Sequence, residues 1–568
     1  MSPPDPHIVP TSPPSPIYHI PYYQSLSRKR RLAIYRAQVN IFISASEVVD
    51  IDEDILQDIL EGFDDPQYDI ETVSDDTSAE DNEASTDPDV AFDFLYGGEE
   101  ISAARWSKAE VKRMLYYLKE RGMASFIKEY MLLRKIPIFE LLLAFGVVLC
   151  TELQSKQPKT LLYFLKVALS RELQLREKLP QYNTIDDAVN LIKSSRRILI
   201  LTGAGISVSC GIPDFRSENG LYATLKDQGE YDLDDPQQMF DIHYFRENPS
   251  VFYSFAKQIY PSNFIPSPCH RFIKLVEDKG KLLRNYTQNI DTLETLAGVQ
   301  NVLQCHGSFA TASCLQCRVR VPGNEIETEI LKGDVPLCKT CDLLNRRAGR
   351  PRKRKGKRRG QDDDDDDDEP GYPPWIMKPD ITFFGEKLTD DFDNSLSEDR
   401  EKVDLLIVIG TSLKVSPVSE ILTNMPHSVP QILINKTPIK HINPDIVLLG
   451  NADPIIEHLC SQLNWSLPPA PQQNTLIRGT RHLQSPTMPL GGRKRPSEPL
   501  ASQPRRVGNS HVWLFEGAEG GKWLQQFEAS QADVEEPITG SSSSSSSSSF
   551  DQTQPTNGLR VPKKPRMQ

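Results

Sequence analysis

Two pairs of cysteines carry the most specific chemistry in this sequence. Cys314 and Cys317 form one Cys-x2-Cys pair, Cys338 and Cys341 the other, and 20 residues separate them. Four thiolates at that spacing can close a tetrahedral zinc site. A closed all-sulfur set leaves no position for substrate, so the ion it predicts is structural. Shortly before the first pair stands His306, within Cys305-His306-Gly307-Ser308-Phe309. An imidazole titrates near neutrality and can act as a general base, although a lone histidine is more often structural. Thr287-Gln288-Asn289-Ile290-Asp291 closes an apolar run. An amide and a carboxylate there can orient a polar ligand, and the same residues are ordinary turn formers. Gly203-Ala204-Gly205-Ile206-Ser207 follows another apolar run. A Gly-x-Gly lets the backbone turn tightly against a phosphate, with the N–H groups of a following helix to receive it. Val208 occupies the place of the usual third glycine and the next glycine is Gly211, so the pattern alone fits a plain strand-to-helix turn as well.

The elements that must position these groups are legible as short runs rich in Ile, Leu and Val, at 196–203, 281–288, 301–307, 380–386, 404–412, 431–436 and 445–450. Continuous apolar runs of that length read as strands buried on both faces. The fold class they predict is α/β: a doubly wound, Rossmann-like parallel sheet between helices, with a small four-cysteine zinc module inserted. Ligands of such sheets lie beyond the carboxyl ends of the strands, where all the motifs above fall. Gly410-Thr411-Ser412 and Asn435-Lys436-Thr437 end two further strands. Ahead of the sheet, apolar residues at helical spacing, a Ser107/Glu110 capping box and breaks at Pro137 and Pro158 predict a helical module.

Composition sets the outer limits. The 568 residues are 38% hydrophobic with 44 prolines, which points to a folded core with disordered arms. The expected organisation is a disordered acidic and Pro-rich arm over 1–104, the helical module over 105–178, and a catalytic domain over 184–465 with the zinc module at 310–375. A disordered tail over 466–568 follows, in which 511–527 is apolar enough to dock and Ser541–Ser549 is polyserine. The first residues lack a charged segment followed by an apolar run, so no secretory signal is read and the thiols are expected reduced. The run Ile136–Cys150, interrupted by Pro137 and Glu140, is too short to span a bilayer.

The net charge of −13 is unevenly spread. Acidic residues crowd 47–100 and 362–369, and basic ones 28–31, 346–359, 493–495 and 563–566. Such blocks suggest interaction segments rather than a charged domain face. In the insert, ten basic residues over 346–359 precede eight acidic ones over 362–369, and Gly349-Arg350-Pro351 resembles an AT-hook core. Import into the nucleus, attraction to nonspecific or AT-rich DNA, and internal masking of the basic run by the acidic one are all compatible with it.

The stretch GAGISVSCGIPDFRS, 203–217, resembles the signature loop of the sirtuins nearly residue for residue, and the likeness extends over 184–465. Within that family it is most similar to the class I, silent-information-regulator-like nuclear enzymes. The resemblance implies an NAD-dependent protein-lysine deacetylase in the nucleus, acting on acetyl-lysine peptides such as histone tails in chromatin silencing and transcriptional repression. Nicotinamide and O-acetyl-ADP-ribose would be released, and one structural Zn2+ held by Cys314, Cys317, Cys338 and Cys341. His306 would be the base, with Asn289 and Asp291 as catalytic companions. Gly203, Ala204, Gly205, Ile206, Asp214, Phe215, Arg216, Tyr222, Gln288, Asn289, Ile290 and Asp291 would meet NAD. Gly410, Thr411, Ser412, Asn435, Lys436 and Thr437 would take its adenosine side. Ala452 stands where relatives often carry a cysteine, so only a backbone contact would survive there. Phe309, Phe384, Gly385 and Val415 would line the acyl-lysine channel, although apolar residues there are equally compatible with core. The N-terminal module would bind silencing-complex proteins, and no membrane role is implied.

Overall fold

The computed structural model describes residues 28–47, 49–61, 106–214, 236–347, 372–387, 390–415, 418–470 and 503–532. The N-terminal helices are α1 (Arg28–Ser44), α2 (Glu53–Leu60), α3 (Lys108–Phe126), α4 (Ile138–Ala144) and α5 (Pro158–Gln174). The Ser107/Glu110 capping box is present: the Ser107 hydroxyl accepts from the Glu110 N–H, and the Glu110 carboxylate accepts from the Ser107 N–H. Phe42, Ile59, Leu118, Phe126, Leu141 and Phe164 meet in a core separate from that of the sheet.

Two segments expected to be disordered are ordered here. In the arm assigned to 1–104, α1 and α2 pack onto the module through Tyr35, Val39, Phe42, Ile55 and Ile59. Gln38 fixes α1 further, donating to the Val148 carbonyl and accepting from the Cys150 N–H. The first three of those residues recur at helical spacing (35, 39, 42), a stripe that the surrounding acidic and Pro-rich text obscures. In the tail assigned to 466–568, residues 503–532 dock on the sheet, so that part of the expectation is also corrected.

The sheet domain begins with α6 (Ile185–Ser194), capped by Thr184 and Asp187. In chain order follow β1 (Ile198–Thr202), α7 (Pro249–Ile259), α8 (Pro268–Asp278), β2 (Leu282–Thr287), β3 (Val302–Gln304), β4 (Gly307–Cys314), β5 (Arg320–Pro322), α9 (Lys339–Arg347) and β6 (Met377–Ile381). After them come α10 (Asp391–Arg400), β7 (Leu405–Ile409), β8 (Gln431–Asn435), β9 (Ile446–Leu449) and α11 (Ala452–Leu463). The docked tail adds β10 (Arg505–Arg506), β11 (Val512–Leu514) and α12 (Gly521–Ala532).

The main sheet runs β10-β11-β9-β8-β7-β1-β2-β3, parallel throughout except for the β10–β11 pair. Every residue of β1, β7, β8 and β9 is buried, as their continuous apolar sequence predicts. Alternation divides them between two cores. Ile198, Ile200, Ile407 and Ile434 face α6, α8 and α11, while Leu199, Leu201, Leu406 and Val408 face α10 and the docked tail. The strand order reverses at β1, between β2 and β7, which opens a crevice at their carboxyl ends.

The run at 380–386 departs from expectation. Its strand is β6, which pairs antiparallel with β4 in a separate sheet of order β5-β4-β6. Length and apolarity alone do not distinguish a parallel-sheet strand from one in a small satellite sheet. Among the described residues no helix is long and apolar enough to cross a membrane.

Candidate active site

The crevice is walled by the loops after β1, β2, β3 and β7. At its floor two backbones meet closely: Gly205 N–H donates to the Gly410 carbonyl at 2.8 Å, and a Cβ on Gly205 would lie 2.7 Å from the Gly410 Cα. Glycine is required on both sides, since Gly410 also holds φ at +64°. The Gly-x-Gly therefore does local work here that a plain turn does not need. Thr411 is tied across the crevice, its hydroxyl donating to the Gln288 side-chain oxygen at 2.7 Å. Ser412 is exposed beside it.

The residues after β2 form one hydrogen-bonded group. Asn289 is buried, with its side-chain amide donating to the Gly203 carbonyl (3.3 Å) and to the Ser207 hydroxyl (3.2 Å). Ser207 in turn donates to Asp291 at 2.7 Å, and the other Asp291 oxygen accepts from the Leu293 N–H at 3.0 Å. Burial pushes the Asp291 carboxyl up, against the pull of the Leu293 and Ser207 bonds. Ala204, Ser207, Ile212, Phe255, Asn289 and Asp291 line a small hollow, mostly apolar with a few polar groups. That lining fits a flat aromatic carboxamide, the nicotinamide end of NAD. Ile206 is core and Ile290 is buried at the edge of the hollow.

His306 follows β3. Its Nδ1 lies 3.1 Å from the Gln288 carbonyl oxygen. A carbonyl can only accept, so Nδ1 carries the ring proton and Nε2 keeps its lone pair. Gly307 holds φ at +67°, and a Cβ on it would lie 2.0 Å from the Asp380 carbonyl oxygen. The chain thus passes tightly under β6, and the Thr382 N–H donates to the His306 carbonyl at 2.8 Å.

From Gly307, β4 runs directly to Cys314, the first of the four thiols. Cys314 and Cys341 sulfurs are 3.9 Å apart, those of Cys317 and Cys338 are 3.7 Å apart, and all four lie within 4.8 Å of one another. Tetrahedral Zn–S bonds of about 2.3 Å put sulfurs about 3.8 Å apart, so the set fits one structural Zn2+. Such an ion ties the far end of β4 to α9 and so steadies the strand that leaves His306.

The predicted adenosine residues sit at the end of β8. Asn435 donates from its side chain to the Thr437 carbonyl. Lys436 pairs with Glu519 of the docked tail at 2.6 Å, an exposed contact. Ala452 opens α11, packed against the sheet core. On the opposite wall Phe384 is 46% exposed, and its backbone pairs with the chain around Asp241. Gly385 is exposed and Val415 half-buried, whereas Phe309 is buried against Tyr260 in the zinc-side core. Asp214 is half-buried at the last described position of the loop. Phe215, Arg216, Tyr222 and the insert from 348 to 371 lie outside the described residues.

A model described as the Sir2 family matches residues 203–417, and a second, described as a protein of unknown function (DUF592), matches 147–202. The NAD-dependent histone deacetylase sir2 of Schizosaccharomyces pombe is 42% identical over 386 residues, which cover 65% of this chain and 80% of that protein. This chain belongs to the Sir2 family. The NAD-dependent histone deacetylase sirtuin-1 of Drosophila melanogaster is 49% identical over 52% of the chain. The NAD-dependent protein deacetylase sirtuin-1 of Homo sapiens is 50% identical over 51%. Each of these two matches spans about a third (35%) of the animal protein's length. Four groups of this Sir2-family site are given no role of their own by the sequence: Ser207 as the bridge between Asn289 and Asp291, and Thr202, Thr287 and Glu294 beneath them. A serine inside a glycine-rich turn and a glutamate beside leucines carry no local signal, because only the fold brings them together.

Proposed function

We propose that this chain is an NAD-dependent protein-lysine deacetylase acting on acetylated histone tails in the nucleus, with release of nicotinamide and O-acetyl-ADP-ribose. The observation that carries the reading is the fixed tautomer of His306, whose Nε2 is a ready proton acceptor at the end of β3. When bound, NAD supplies an activated sugar carbon and a leaving group. Asn289 and Asp291 hold the carboxamide end and the neighbouring sugar, and His306 takes a proton from a ribose hydroxyl. The mostly apolar lining of the hollow keeps water from the reacting carbon. Gly203, Gly205, Gly410 and Thr411 form the backbone floor for the rest of the dinucleotide, and Asn435, Lys436 and Thr437 border its adenosine end. The acyl-lysine peptide lies as an added strand between the Phe384–Gly385 wall and Val415, a mode that gives affinity with little sequence demand.

The relatives named as histone deacetylases support histone tails as substrate. The basic runs at 28–31, 346–359, 493–495 and 563–566 are suited to nuclear import, and that at 346–359 also to DNA attraction. The helical module offers a separate surface for silencing-complex proteins. The deciding experiment incubates the protein with acetylated histone-tail peptides, with and without NAD, and reads peptide mass. Loss of the acetyl group only with NAD, abolished in His306→Ala with the fold intact, is the expected result. Retained turnover in His306→Ala overturns the base assignment, and a gain of mass points instead to ADP-ribosyl transfer.

A further inference from the structure

Beneath the hollow lies a second carboxyl group that the chemistry above does not use. Glu294 is completely buried; among the described residues Asp291, His270 and Cys305 are the titratable groups beside it, and Cys210 lies near Asp291. One ligand atom each of His270, Asp291 and Glu294 lies within 4.8 Å of the other two. Two carboxylates this close in a dry interior cannot both be charged, so the pair holds a proton.

The hydrogen bonds say where it sits. Both oxygens of Asp291 have donors, the Ser207 hydroxyl and the Leu293 N–H, as an ionised carboxylate requires. Glu294 is asymmetric. Its Oε1 accepts from the Thr287 hydroxyl at 2.6 Å and more distantly from Thr202 at 3.4 Å, while Oε2 has no partner among the described residues. With donors to only one of its oxygens the Glu294 anion is less stabilised than that of Asp291, so the proton of the pair rests on Glu294. His270 is no base for that proton. Its Nδ1 accepts from the Ser267 N–H, so its hydrogen is on Nε2, a buried atom with no partner among the described residues. The same tautomer disfavours a metal ion at this cluster, because Nε2 has no lone pair to give.

We propose that Glu294 is a positioning residue which stores the proton of the pair, so that a single negative charge, on Asp291, borders the nicotinamide hollow, and which aligns Asn289 through Thr287. The link to Asn289 is direct, since the Thr287 oxygen that donates to Glu294 accepts the Asn289 N–H at 3.1 Å. Burial, with the Asp291 charge second, pushes Glu294 up to about 8, and burial pushes His270 down to about 3. The Cys305 thiol is pushed up by burial and Cys210 to about 11, so neither competes for charge near neutrality. Above about pH 8 a second charge enters the site and its grip on the carboxamide weakens.

The inference rests on the deacetylase reading, and two measurements separate their fates. Glu294→Ala leaves the Thr287 hydroxyl without its acceptor and lowers kcat/KM for NAD by about 10- to 100-fold, the scale of a lost buried hydrogen bond. Glu294→Gln, neutral at every pH, restores activity at pH 7 to within about threefold and removes the fall in nicotinamide exchange above pH 8. An unchanged alkaline fall in Glu294→Gln overturns the proposal. Independently of turnover, the infrared carbonyl band of a protonated carboxyl is expected at pH 7 in the unmodified protein and absent in Glu294→Gln. Identical spectra overturn it even in a protein that turns over NAD. Absence of NAD cleavage in the unmodified protein, with the band difference present, overturns the deacetylase reading and leaves the stored proton supported.

Discussion

Replacing Ser207 by alanine removes one oxygen from the middle of the site. Ser207 is 1% exposed, and its hydroxyl accepts from Asn289 and donates to Asp291 at 2.7 Å. Asn289 keeps its bond to the Gly203 carbonyl and Asp291 keeps the Leu293 N–H, so the loss is mainly one bond to a charged group, about 1.5–3 kcal/mol. At about 1.4 kcal/mol per tenfold, kcat/KM for NAD falls by about 10- to 100-fold. The pH profile changes as well. Burial pushes the Asp291 carboxyl up and the Ser207 bond opposes it, so without the hydroxyl Asp291 protonates more readily and the acid limb moves to higher pH. The assay is steady-state deacetylation of an acetylated histone-tail peptide at varied NAD from weakly acidic to weakly alkaline buffer. A kcat/KM within about twofold of the unmodified protein, with no movement of the acid limb, would refute the role given to Ser207 and the charge assigned to Asp291.

Metal analysis of the purified protein should give one Zn2+ per chain, and Cys338→Ser should abolish its binding and lower the thermal transition of the sheet domain; full stability without metal counts against the site. Arg176→Met strips the bidentate partner from Asp445, a fully buried carboxylate that among the described residues otherwise keeps only the Leu179 and Gln431 N–H groups. Breaking such a pair costs about 3 kcal/mol or more, to be read from urea unfolding, and a cost under about 1 kcal/mol would show that the pair is effectively solvated. Burial holds the folded-state values of His427 and His511 down at about 4 and His270 at about 3. Below the ordinary histidine value of about 6.5 the unfolded chain binds protons that the native one refuses, so stability drops as pH falls from there to about 3. His511→Gln should flatten the upper part of that slope, and an unaltered slope contradicts its neutral burial.

Much of the sheet was legible because burial on both faces leaves a simple signature. Residues 196–203, 404–412, 431–436 and 445–450 each contain a strand whose every side chain is buried, and the loops after the first two meet at Gly205 and Gly410. The four cysteines were legible because a tetrahedral site constrains spacing. Less could be read where the decisive neighbour is remote in sequence. Nothing in DTLETL announces that Glu294 lies under Asp291 and against Thr202, 92 residues away. The 380–386 run differs in sequence little from the parallel strands, and its partner β4 is fixed only by the zinc-side fold. Likewise the apolar text at 511–527 could be marked for docking but not for its place, since a three-residue strand carries no register of its own.

The position of that strand bears on how the protein behaves in company. β9 is the last strand contributed by the continuous sheet domain, and its outward groups are met by β11: Val447 N–H donates to the His511 carbonyl and Phe515 N–H to the Leu449 carbonyl. Beyond it, β10 is two residues long and made of arginines, while the opposite rim is the three-residue β3. A short, positively charged border is a poor template for another chain's backbone. Were the segment cleaved away, four fully apolar residues, Ile446–Leu449, would present an unfilled row of amides and carbonyls to solution. The docked segment thus acts as a selvedge, keeping neighbouring molecules from knitting onto the fabric.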